Sequence, residues 1–457
     1  MLKILEQARK AAFWSLDGLK GGNVRKHYRD VKWVQNNPTS HEAKELCKEN
    51  LHKILEHAIR TVPYYCDILQ DESVSLEKIP IINKHIVRNK FEQFRSYEYV
   101  DQHTHEVLTS GSTGKPFKIL HDKNKRARNT ADTIFFAKRA GYDLGSRLFY
   151  LRLWDKQYKK NRFLSKLQNI AMYSVDDLTD ENISKLVNEL EGNNSNNSLL
   201  IYTSALDTVC QYLDKNPERK INRKVDSIIA IAEALSSEVK KKAEKHFGTE
   251  VLSRYSNSEN GILAQQRKDA AGNFEINWAS YYIEILDLTE DKPAKPGEPG
   301  RIIITDLFNY SMPLIRYDTG DVGVIEEDSV HGGLVFSKVE GRKMDMFTNT
   351  KGEFVSSHII HHILQFKGIE QFQFVEEEND VYIIKLKVSP EFDRNEEEVL
   401  RDKYMEYFGQ DAIIKIKYVK DIPLLPSGKR KLVINNAIQK QKQLSNKKPE
   451  QKINLVH

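Results

Sequence analysis

Short apolar runs alternate with helix-forming segments between about residues 100 and 340 of this chain. Residues 199–202 and 227–231 are runs of this kind, and their length and apolar character suit strands buried on both faces. Residues 236–247 show a helical pattern with Ser236 or Ser237 as its cap and Glu238 in its first turn. This alternation predicts an α/β architecture.

The rest of the chain divides into three further parts. Residues 1–70 are predicted to form a helical leader. Residues 43–65 show helix-like spacing of apolar residues, and Pro63 is expected to end that helix. After Gly341 the pattern changes to a small α+β unit, with helices predicted over 354–366 and 395–407 and strands over 372–375 and 381–388. We therefore expect a large N-terminal domain over 1–341, a small mobile C-terminal domain over 342–438 and a disordered basic tail over 439–457.

Composition excludes several classes of protein. The 457 residues are 39% hydrophobic and 30% charged with a net charge of +5, which predicts a soluble globular protein and no nucleic-acid partner. The sequence has no apolar run long enough to span a bilayer and no signal-peptide core, so we expect a cytoplasmic protein. Its three cysteines, Cys47, Cys66 and Cys210, lack the paired spacing of a disulfide framework or a Cys-based zinc site.

A dense run of small and hydroxylated residues lies between two predicted strands, at Thr109-Ser110-Gly111-Ser112-Thr113-Gly114-Lys115-Pro116. Its glycines allow close backbone approach to an anion, and its amides, hydroxyls and lysine offer donors to phosphate. The spacing is not that of a Walker loop, because only two residues separate Gly111 from Gly114 and a strand follows. On this segment alone, a flexible hairpin turn and a phosphate cradle are equally supported.

Four other segments place charged side chains in turns or at strand ends. They are Tyr255-Ser256-Asn257-Ser258-Glu259 after a predicted strand over 250–252, Arg316-Tyr317-Asp318-Thr319-Gly320-Asp321, Gly341-Arg342, and Pro426-Ser427-Gly428-Lys429. Ligands of α/β sheets bind at such strand ends. Each charged residue also has an ordinary structural explanation, as a turn residue or a solvated charge, and only their joint occurrence in this order carries weight.

In this order the motifs resemble those of the adenylate-forming superfamily of acyl-CoA synthetases, peptide-synthetase adenylation domains and luciferases. The branch that contains phenylacetate–CoA ligase and capsular polysaccharide biosynthesis proteins is the most similar, on Leu51-His52-Lys53-Ile54-Leu55-Glu56-His57-Ala58, Val62-Pro63-Tyr64-Tyr65, Ile79-Pro80-Ile81-Ile82-Asn83-Lys84 and Met312-Pro313-Leu314-Ile315-Arg316-Tyr317. The resemblance covers about residues 45–435 and does not specify the acid.

The resemblance implies a role for each motif. The loop from Thr109 to Lys115 would hold the β- and γ-phosphates of ATP, and Glu259 would bind Mg²⁺, a hard cation that prefers oxygen ligands. Asp321 and Arg342 would contact the ribose, while Lys429 would bridge the carboxylate and the α-phosphate. Adenine would be bordered by Ala232, Glu233 and Tyr255. Further nucleotide contacts would come from the residues that follow Tyr255 in the strand-end motif, Ser256, Asn257 and Ser258.

The same resemblance implies a ligase that forms an acyl adenylate with loss of pyrophosphate and passes the acyl group to a thiol such as CoA. Its small C-terminal domain would swing to bring Lys429 in and out. This chain departs from the usual pattern at three places. Met344 stands at the hinge position before Asp345, and Ser256 replaces a glycine. The Gly-rich loop that shapes the thiol tunnel is replaced by Asn349-Thr350-Lys351-Gly352-Glu353. An alternative is therefore an amide-forming ligase acting on an amine of a sugar or glycan precursor.

Two points stay open on the residues alone. Tyr150 to Trp154 and Tyr202 to Leu206 are candidates to line the acid pocket, although aromatic residues at such places also build cores. His358, His361 and His362 would share a helix face that suits a metal or an ordinary surface. A third hypothesis, a non-catalytic nucleotide-binding scaffold, fits least with the joint retention of Glu259, Asp321, Arg342 and Lys429.

Overall fold

The computed structural model describes residues 2–68, 75–109, 117–154, 161–268, 272–342, 347–352, 354–355, 359–360, 363, 366–378, 380–423 and 431–436. Its helices are α1 (Leu2–Leu19), α2 (Asn23–Asn36), α3 (His41–Thr61), α4 (Pro63–Cys66), α5 (Lys84–Asn89), α6 (Lys123–Arg139), α7 (Arg162–Leu167), α8 (Asp180–Gly192), α9 (Thr203–Lys215), α10 (Ser237–Phe247) and α11 (Glu396–Phe408). Short 3-10 helices cover Leu76–Lys78, Phe91–Phe94, Tyr97–Tyr99 and Val175–Asp177.

The strands in chain order are β1 (Ile82–Asn83), β2 (His105–Thr109), β3 (Phe117–His121), β4 (Arg147–Arg152), β5 (Ile170–Ser174), β6 (Asn197–Tyr202), β7 (Val225–Ile231), β8 (Val251–Asn257), β9 (Gly261–Gln266), β10 (Phe274–Ile276), β11 (Tyr281–Leu286), β12 (Pro299–Asp306), β13 (Tyr317–Glu327), β14 (Leu334–Arg342), β15 (Phe347–Thr348), β16 (Phe354–Val355), β17 (Ile369–Glu376), β18 (Val381–Val388), β19 (Ile413–Tyr418) and β20 (Val433–Asn435). The chain divides into two compact units, Met1–Val339 and Glu340–His457.

The largest sheet has the order β11-β12-β13-β14-β10-β9-β8-β7-β6-β4-β5, and β1 pairs with β13. Its β5-β4-β6-β7-β8 half is parallel, whereas β8, β9 and β10 pair antiparallel. β5 and β6 lie on opposite edges of β4, so the strand order reverses there. Ligands of α/β sheets bind at the carboxyl ends of strands beside such a reversal. A separate hairpin, β2–β3, carries the residues on either side of the 110–116 loop.

The smaller unit has its own core. β19, β18, β17 and β20 form a four-stranded sheet, and α11 supplies Tyr404 and Phe408, which are fully buried. The ring of Tyr382 on β18 stacks on Phe408 with centroids 4.0 Å apart. Together with the large sheet, this separate α+β core confirms the predicted fold class. Within the described residues, no helix combines the length and apolarity needed to cross a membrane.

Several sequence predictions of elements are confirmed, and three need correction. Pro63 begins α4 rather than only ending α3, because proline is well tolerated in the first turn of a helix. The helix predicted over 354–366 is wrong at Phe354 and Val355, which form β16 and pair with β15 across a turn that needs the positive φ of Gly352. The strand predicted to end at Leu252 continues as β8 to Asn257, because β9 pairs with its second half.

Candidate active site

The turn between β8 and β9 presents a buried carboxylate. The side chain of Asn257 accepts the backbone N–H of Asn260 at 2.8 Å, which closes the turn. Gly261 has a φ of +121°, and a Cβ at this position would lie 2.8 Å from Oδ1 of Asn129, so the turn requires glycine. Glu259 lies within this turn with 8% of its side chain exposed. The turn therefore holds a carboxylate in a defined position with little access to solvent.

Lys84 is the cation that pairs with this carboxylate. Its Nζ lies 3.1 Å from Oε1 of Glu259 and 4.9 Å from the ring centroid of Phe117. Lys84 begins α5, where Asn83 caps the helix by accepting two backbone N–H groups of the first turn at 3.0 Å. Lys84 is not among the site residues predicted from the sequence. An Asn before a helical segment predicts the cap, but no local signal predicts the contact with Glu259.

Tyr317 is a second partner of Glu259 that the sequence analysis missed. Burial, followed by the negative charges of Glu259 and Asp321, raises the pKa of Tyr317 well above its ordinary value, so the hydroxyl stays protonated and hydrogen-bonds to Glu259. The Tyr317 ring stacks on Phe117 with centroids 6.5 Å apart and planes within 4°. Phe117 directly follows residues 110–116 in the sequence and packs against both Lys84 and Tyr317, the two partners of Glu259.

The structure brings Tyr255 and Asp321 together. The Tyr255 hydroxyl donates to Oδ2 of Asp321 at 2.7 Å, and burial, followed by the charge of Asp321, raises the pKa of Tyr255 well above its ordinary value. Asp321 follows Gly320, whose φ is +78°, and lies within β13, two residues beyond Thr319, whose Oγ1 accepts the Asp321 N–H at 3.1 Å. Two residues that the resemblance places around the nucleoside are therefore in direct contact.

Ala232 and Glu233 follow the carboxyl end of β7. Ala232 has a φ of +73°, a left-handed conformation that costs a non-glycine residue about 1–2 kcal/mol. Oε2 of Glu233 accepts the N–H of Ser204 at 2.8 Å, and the Glu233 carbonyl accepts from Oγ1 of Thr203 at 3.1 Å. The Glu233 carboxylate thus accepts a backbone N–H in the first turn of α9 that has no partner within the helix, at the end where the helix dipole favours negative charge. Strained backbone of this kind is characteristic of binding sites.

Known proteins match both the sequence and the fold. Residues 346–436 match the family described as the CapK C-terminal domain. Protein CapK of Staphylococcus aureus is 22% identical over 442 residues, which cover 92% of this chain and 94% of CapK. The structure of 2-hydroxyisobutyryl-CoA ligase in the postadenylation state with 2-HIB-AMP aligns with a TM-score of 0.69 at 16% identity, covering 90% of this chain and 94% of the ligase. This chain has the fold of the adenylate-forming ligases.

A second solved structure aligns less extensively. ATP-bound MatB from Rhodopseudomonas palustris has a TM-score of 0.52 at 15% identity, with coverage of 71% of this chain and 66% of MatB. At these identities the solved structures show the adenylate-forming fold of this chain and nothing about its substrate. The match to CapK extends over both compact units, and the family match lies within the second.

Several predicted site residues lie outside the described residues. They are Ser110, Gly111, Ser112, Thr113, Gly114, Lys115, Lys429, the hinge-position residues Met344 and Asp345, the histidines His358, His361 and His362, and the side chain of Arg342. Thr109 is described and pairs with Phe117 across the β2–β3 hairpin. Its Oγ1 is buried and finds no hydrogen-bond partner in the described part of the chain. Ser256 and Ser258 are exposed, and Asn257 is half-buried.

The described residues fit Mg²⁺ held largely by a ligand's phosphates. No cluster of three or more His, Cys, Asp or Glu side chains suited to a metal occurs among the residues described. Mg²⁺ commonly takes only one or two carboxylates together with phosphate oxygens and water. A carboxylate offers about four acceptor positions, so Glu259 retains oxygen lone pairs beyond those used by Lys84 and Tyr317.

Proposed function

We propose that this protein is an ATP-dependent ligase that activates a carboxylic acid as an acyl adenylate. In the first step a carboxylate oxygen bonds to the α-phosphorus, and the bond between that phosphorus and pyrophosphate breaks. In the second step a nucleophile bonds to the acyl carbon, AMP leaves, and the nucleophile loses a proton. Phosphoryl transfer of this kind depends on positioned donors and cations more than on covalent help from the protein.

One observation carries the proposal. Phe117, which ends the Ser/Thr/Gly-rich loop, contacts both Lys84 and Tyr317, and both of these bind the buried Glu259. Strand β3, which follows the loop suited to phosphate, thus begins beside a carboxylate suited to a hard cation. When bound to Glu259, Mg²⁺ would neutralise charge on the phosphates. Tyr317 and Lys84 orient that carboxylate by occupying two of its acceptor positions.

The other assigned roles rest on the superfamily. Asp321 would accept the ribose hydroxyls, with Tyr255 fixing its orientation through the 2.7 Å hydrogen bond. Ala232 and Glu233 would border adenine, and Arg342 would also contact the ribose. Lys429 would stabilise the charge that develops between the acid and the α-phosphate. We place all of these steps in the cytoplasm, where ATP and CoA are available.

The acyl acceptor has two candidates. CoA is the thiol that the superfamily most often uses, and an amine of a sugar or glycan precursor is the second candidate. One structural feature favours the amine, namely the hydrogen bonding of the turn over residues 349–352. Within the C-terminal unit, Oγ1 of Thr350 donates to Asp411 at 2.6 Å, and the Thr350 N–H donates to the Phe408 carbonyl at 2.8 Å. A fixed turn replaces the Gly-rich loop that shapes the thiol tunnel in the superfamily.

Pyrophosphate exchange into ATP tests the proposal before any acceptor is known. We expect exchange with at least one member of a panel of aliphatic, aromatic, hydroxy, amino and dicarboxylic acids, and a loss of about 100-fold in Lys429→Ala, the effect typical of removing one transition-state donor. Lys420→Ala, an exposed lysine of the same unit, is the matched control and should keep full exchange. Folded protein that binds ATP but exchanges with no acid would contradict the proposal.

The acceptor is then identified with the acid that supports exchange. Incubation with ATP, that acid and either CoA or an amino sugar nucleotide, followed by mass spectrometry, distinguishes a thioester from an amide. A stable CoA thioester formed at the exchange rate would rule out the amide-forming alternative.

A further inference from the structure

Arg254 is a buried cation that has no acidic partner among the described residues. It lies on β8 and is 8% exposed. Its Nε donates to Oε1 of Gln265 at 2.8 Å, and the fully buried Gln265 donates in turn to the carbonyl of Phe136 at 2.8 Å. Its Nη2 is buried and has no hydrogen-bond partner in the described part of the structure. Gln265 therefore fixes the guanidinium in place and leaves its Nη2 amino group without an acceptor among the described residues.

An unpaired buried charge is energetically costly. A buried ion normally has a counter-ion and a full set of hydrogen bonds, and removing the partner of such a pair is strongly destabilising. Burial lowers the pKa of Arg254 to about 10, so the guanidinium is still charged at neutral pH. A ligand that brings a negative charge would supply the missing partner.

The position of Arg254 is that of a ligand site. Side chains alternate along β8, so Arg254 shares a face with Leu252. In the strand pairing, Leu252 lies beside Ile229 on β7, Ile229 beside Leu200 on β6, and Leu200 beside Tyr150 on β4. These residues therefore lie on the same face of the sheet as Arg254. Arg254 lies two residues further toward the carboxyl ends of these parallel strands. Ligands of α/β sheets bind at this edge, beside a reversal of strand order such as that at β4.

Aromatic and cationic groups border the same face. Tyr150 opposes the effect of burial on the pKa of Arg254, and its ring meets Trp154 edge to face with centroids 5.0 Å apart. Nη1 of Arg152 lies 3.4 Å from the Tyr150 hydroxyl, and its guanidinium lies 5.7 Å from the Trp154 ring. Trp154 is held by donating to the Tyr173 carbonyl at 2.9 Å. Arg152 thus adds a second positive charge to the face that carries Arg254.

We propose that Arg254 binds a second carboxylate of the acid substrate, which makes the substrate a dicarboxylic acid. This inference rests on the proposed function, since it concerns the acid that is adenylated. The carboxylate that reacts with ATP loses its negative charge when the adenylate forms, which would leave Arg254 unpaired again. A second carboxylate keeps its charge through the reaction and can pair with Arg254 in the ground state, the transition state and the product. Tyr255, which contacts Asp321, is the next residue on β8.

Matched acid pairs test the inference. Pyrophosphate exchange is measured with malonate and propionate, succinate and butyrate, glutarate and valerate, and 4-carboxyphenylacetate and phenylacetate. In the wild-type protein we expect at least one dicarboxylate to exceed its monocarboxylate by about 100-fold or more in kcat/KM, as for a buried charged hydrogen bond. In Arg254→Gln this ratio should fall to near one. Arg223→Gln, at an exposed arginine, should keep the wild-type ratio.

Thermal unfolding with the acids alone separates the two proposals. The preferred dicarboxylate should raise the Tm of the wild-type protein and leave that of Arg254→Gln unchanged, and the variant without ligand should be at least as stable as wild type. Equal exchange of mono- and dicarboxylates in the wild type overturns the role of Arg254 and leaves the ligase function standing. Absence of exchange with a Tm shift that depends on Arg254 supports the site and contradicts the ligase function. Absence of both effects rejects both proposals.

Discussion

At the residue scale, the candidate site is organised around one buried carboxylate. Glu259 is held by an ammonium group 3.1 Å away and by a phenol, and neither partner is near it in the sequence. The motif containing Glu259 could be identified from the sequence because its residues are consecutive. Lys84 and Tyr317 could not, since their contacts exist only after α5, β13 and the β8–β9 turn have packed together.

Removing Lys84 should destabilise the unit that contains it. Lys84→Met leaves the buried Glu259 charge unpaired, and because the Lys84 side chain is one-third exposed we expect a loss of about 2 kcal/mol in the free energy of unfolding, below the full effect for a buried pair. All four tryptophans lie within Met1–Val339, so urea titration followed by tryptophan fluorescence measures this unit.

The double variant is the sharper part of that experiment. Lys84→Met combined with Glu259→Gln removes both charges and should recover most of the lost stability. Lys48→Met, at an exposed lysine paired with Glu45 on α3, should change the free energy by less than about 0.5 kcal/mol. Additive losses in the double variant would show that Lys84 and Glu259 are not coupled.

At the element scale, the sequence predicted those elements whose signals are local. The apolar runs of β6 and β7, the alternation in β18 and the Ser236 cap of α10 all occur as expected. The errors fall where pairing with a distant strand decides the outcome. β8 continues through Tyr255 because β9 turns back along it, and Phe354 extends because Thr348 pairs with it. Such contacts leave no periodic signal in the sequence.

His121 joins two of these elements and should make the N-terminal unit sensitive to acid. It ends β3 and contacts the Glu259 carbonyl in the β8–β9 turn at 2.8 Å. Burial, followed by the charge of Lys125, lowers the pKa of His121 to about 4, while an unfolded histidine titrates near 6.5. Protonation thus favours the unfolded chain, and the stability contributed by neutral His121 is present above about pH 6.5 and lost as pH falls toward 4.

A glutamine at position 121 tests this coupling. His121→Gln keeps a donor for the carbonyl but cannot titrate, so its free energy of unfolding should fall about 2 kcal/mol less than that of wild type between pH 7.5 and 5. His27, whose pKa burial also lowers to about 4, leaves part of the acid sensitivity in the variant. His52→Gln, at an exposed histidine of α3, should titrate like wild type. Identical pH profiles for His121→Gln and wild type would contradict the assignment.

At the scale of the whole molecule, the motifs predicted more of the function than of the substrate. Their order along the chain indicated the adenylate-forming fold, which the large sheet and the separate C-terminal unit confirm. The acid site that we propose has no such motif, because it would take single side chains from separate strands such as β4 and β8. Arg254 stands next to a motif residue, but the lack of a hydrogen-bond partner for its Nη2 among the described residues is visible only in the folded structure.

The central claim is that the carboxylate oxygen of the substrate attacks the α-phosphorus of ATP. It is tested most directly by supplying the acid that supports exchange with ¹⁸O in its carboxyl group, together with ATP and hydroxylamine as a general acyl acceptor. We predict that one ¹⁸O atom appears in AMP, detected by mass spectrometry as a gain of about 2 Da, since acyl transfer leaves that oxygen on phosphorus. Label in inorganic phosphate with formation of ADP, or unlabelled AMP, would contradict the account.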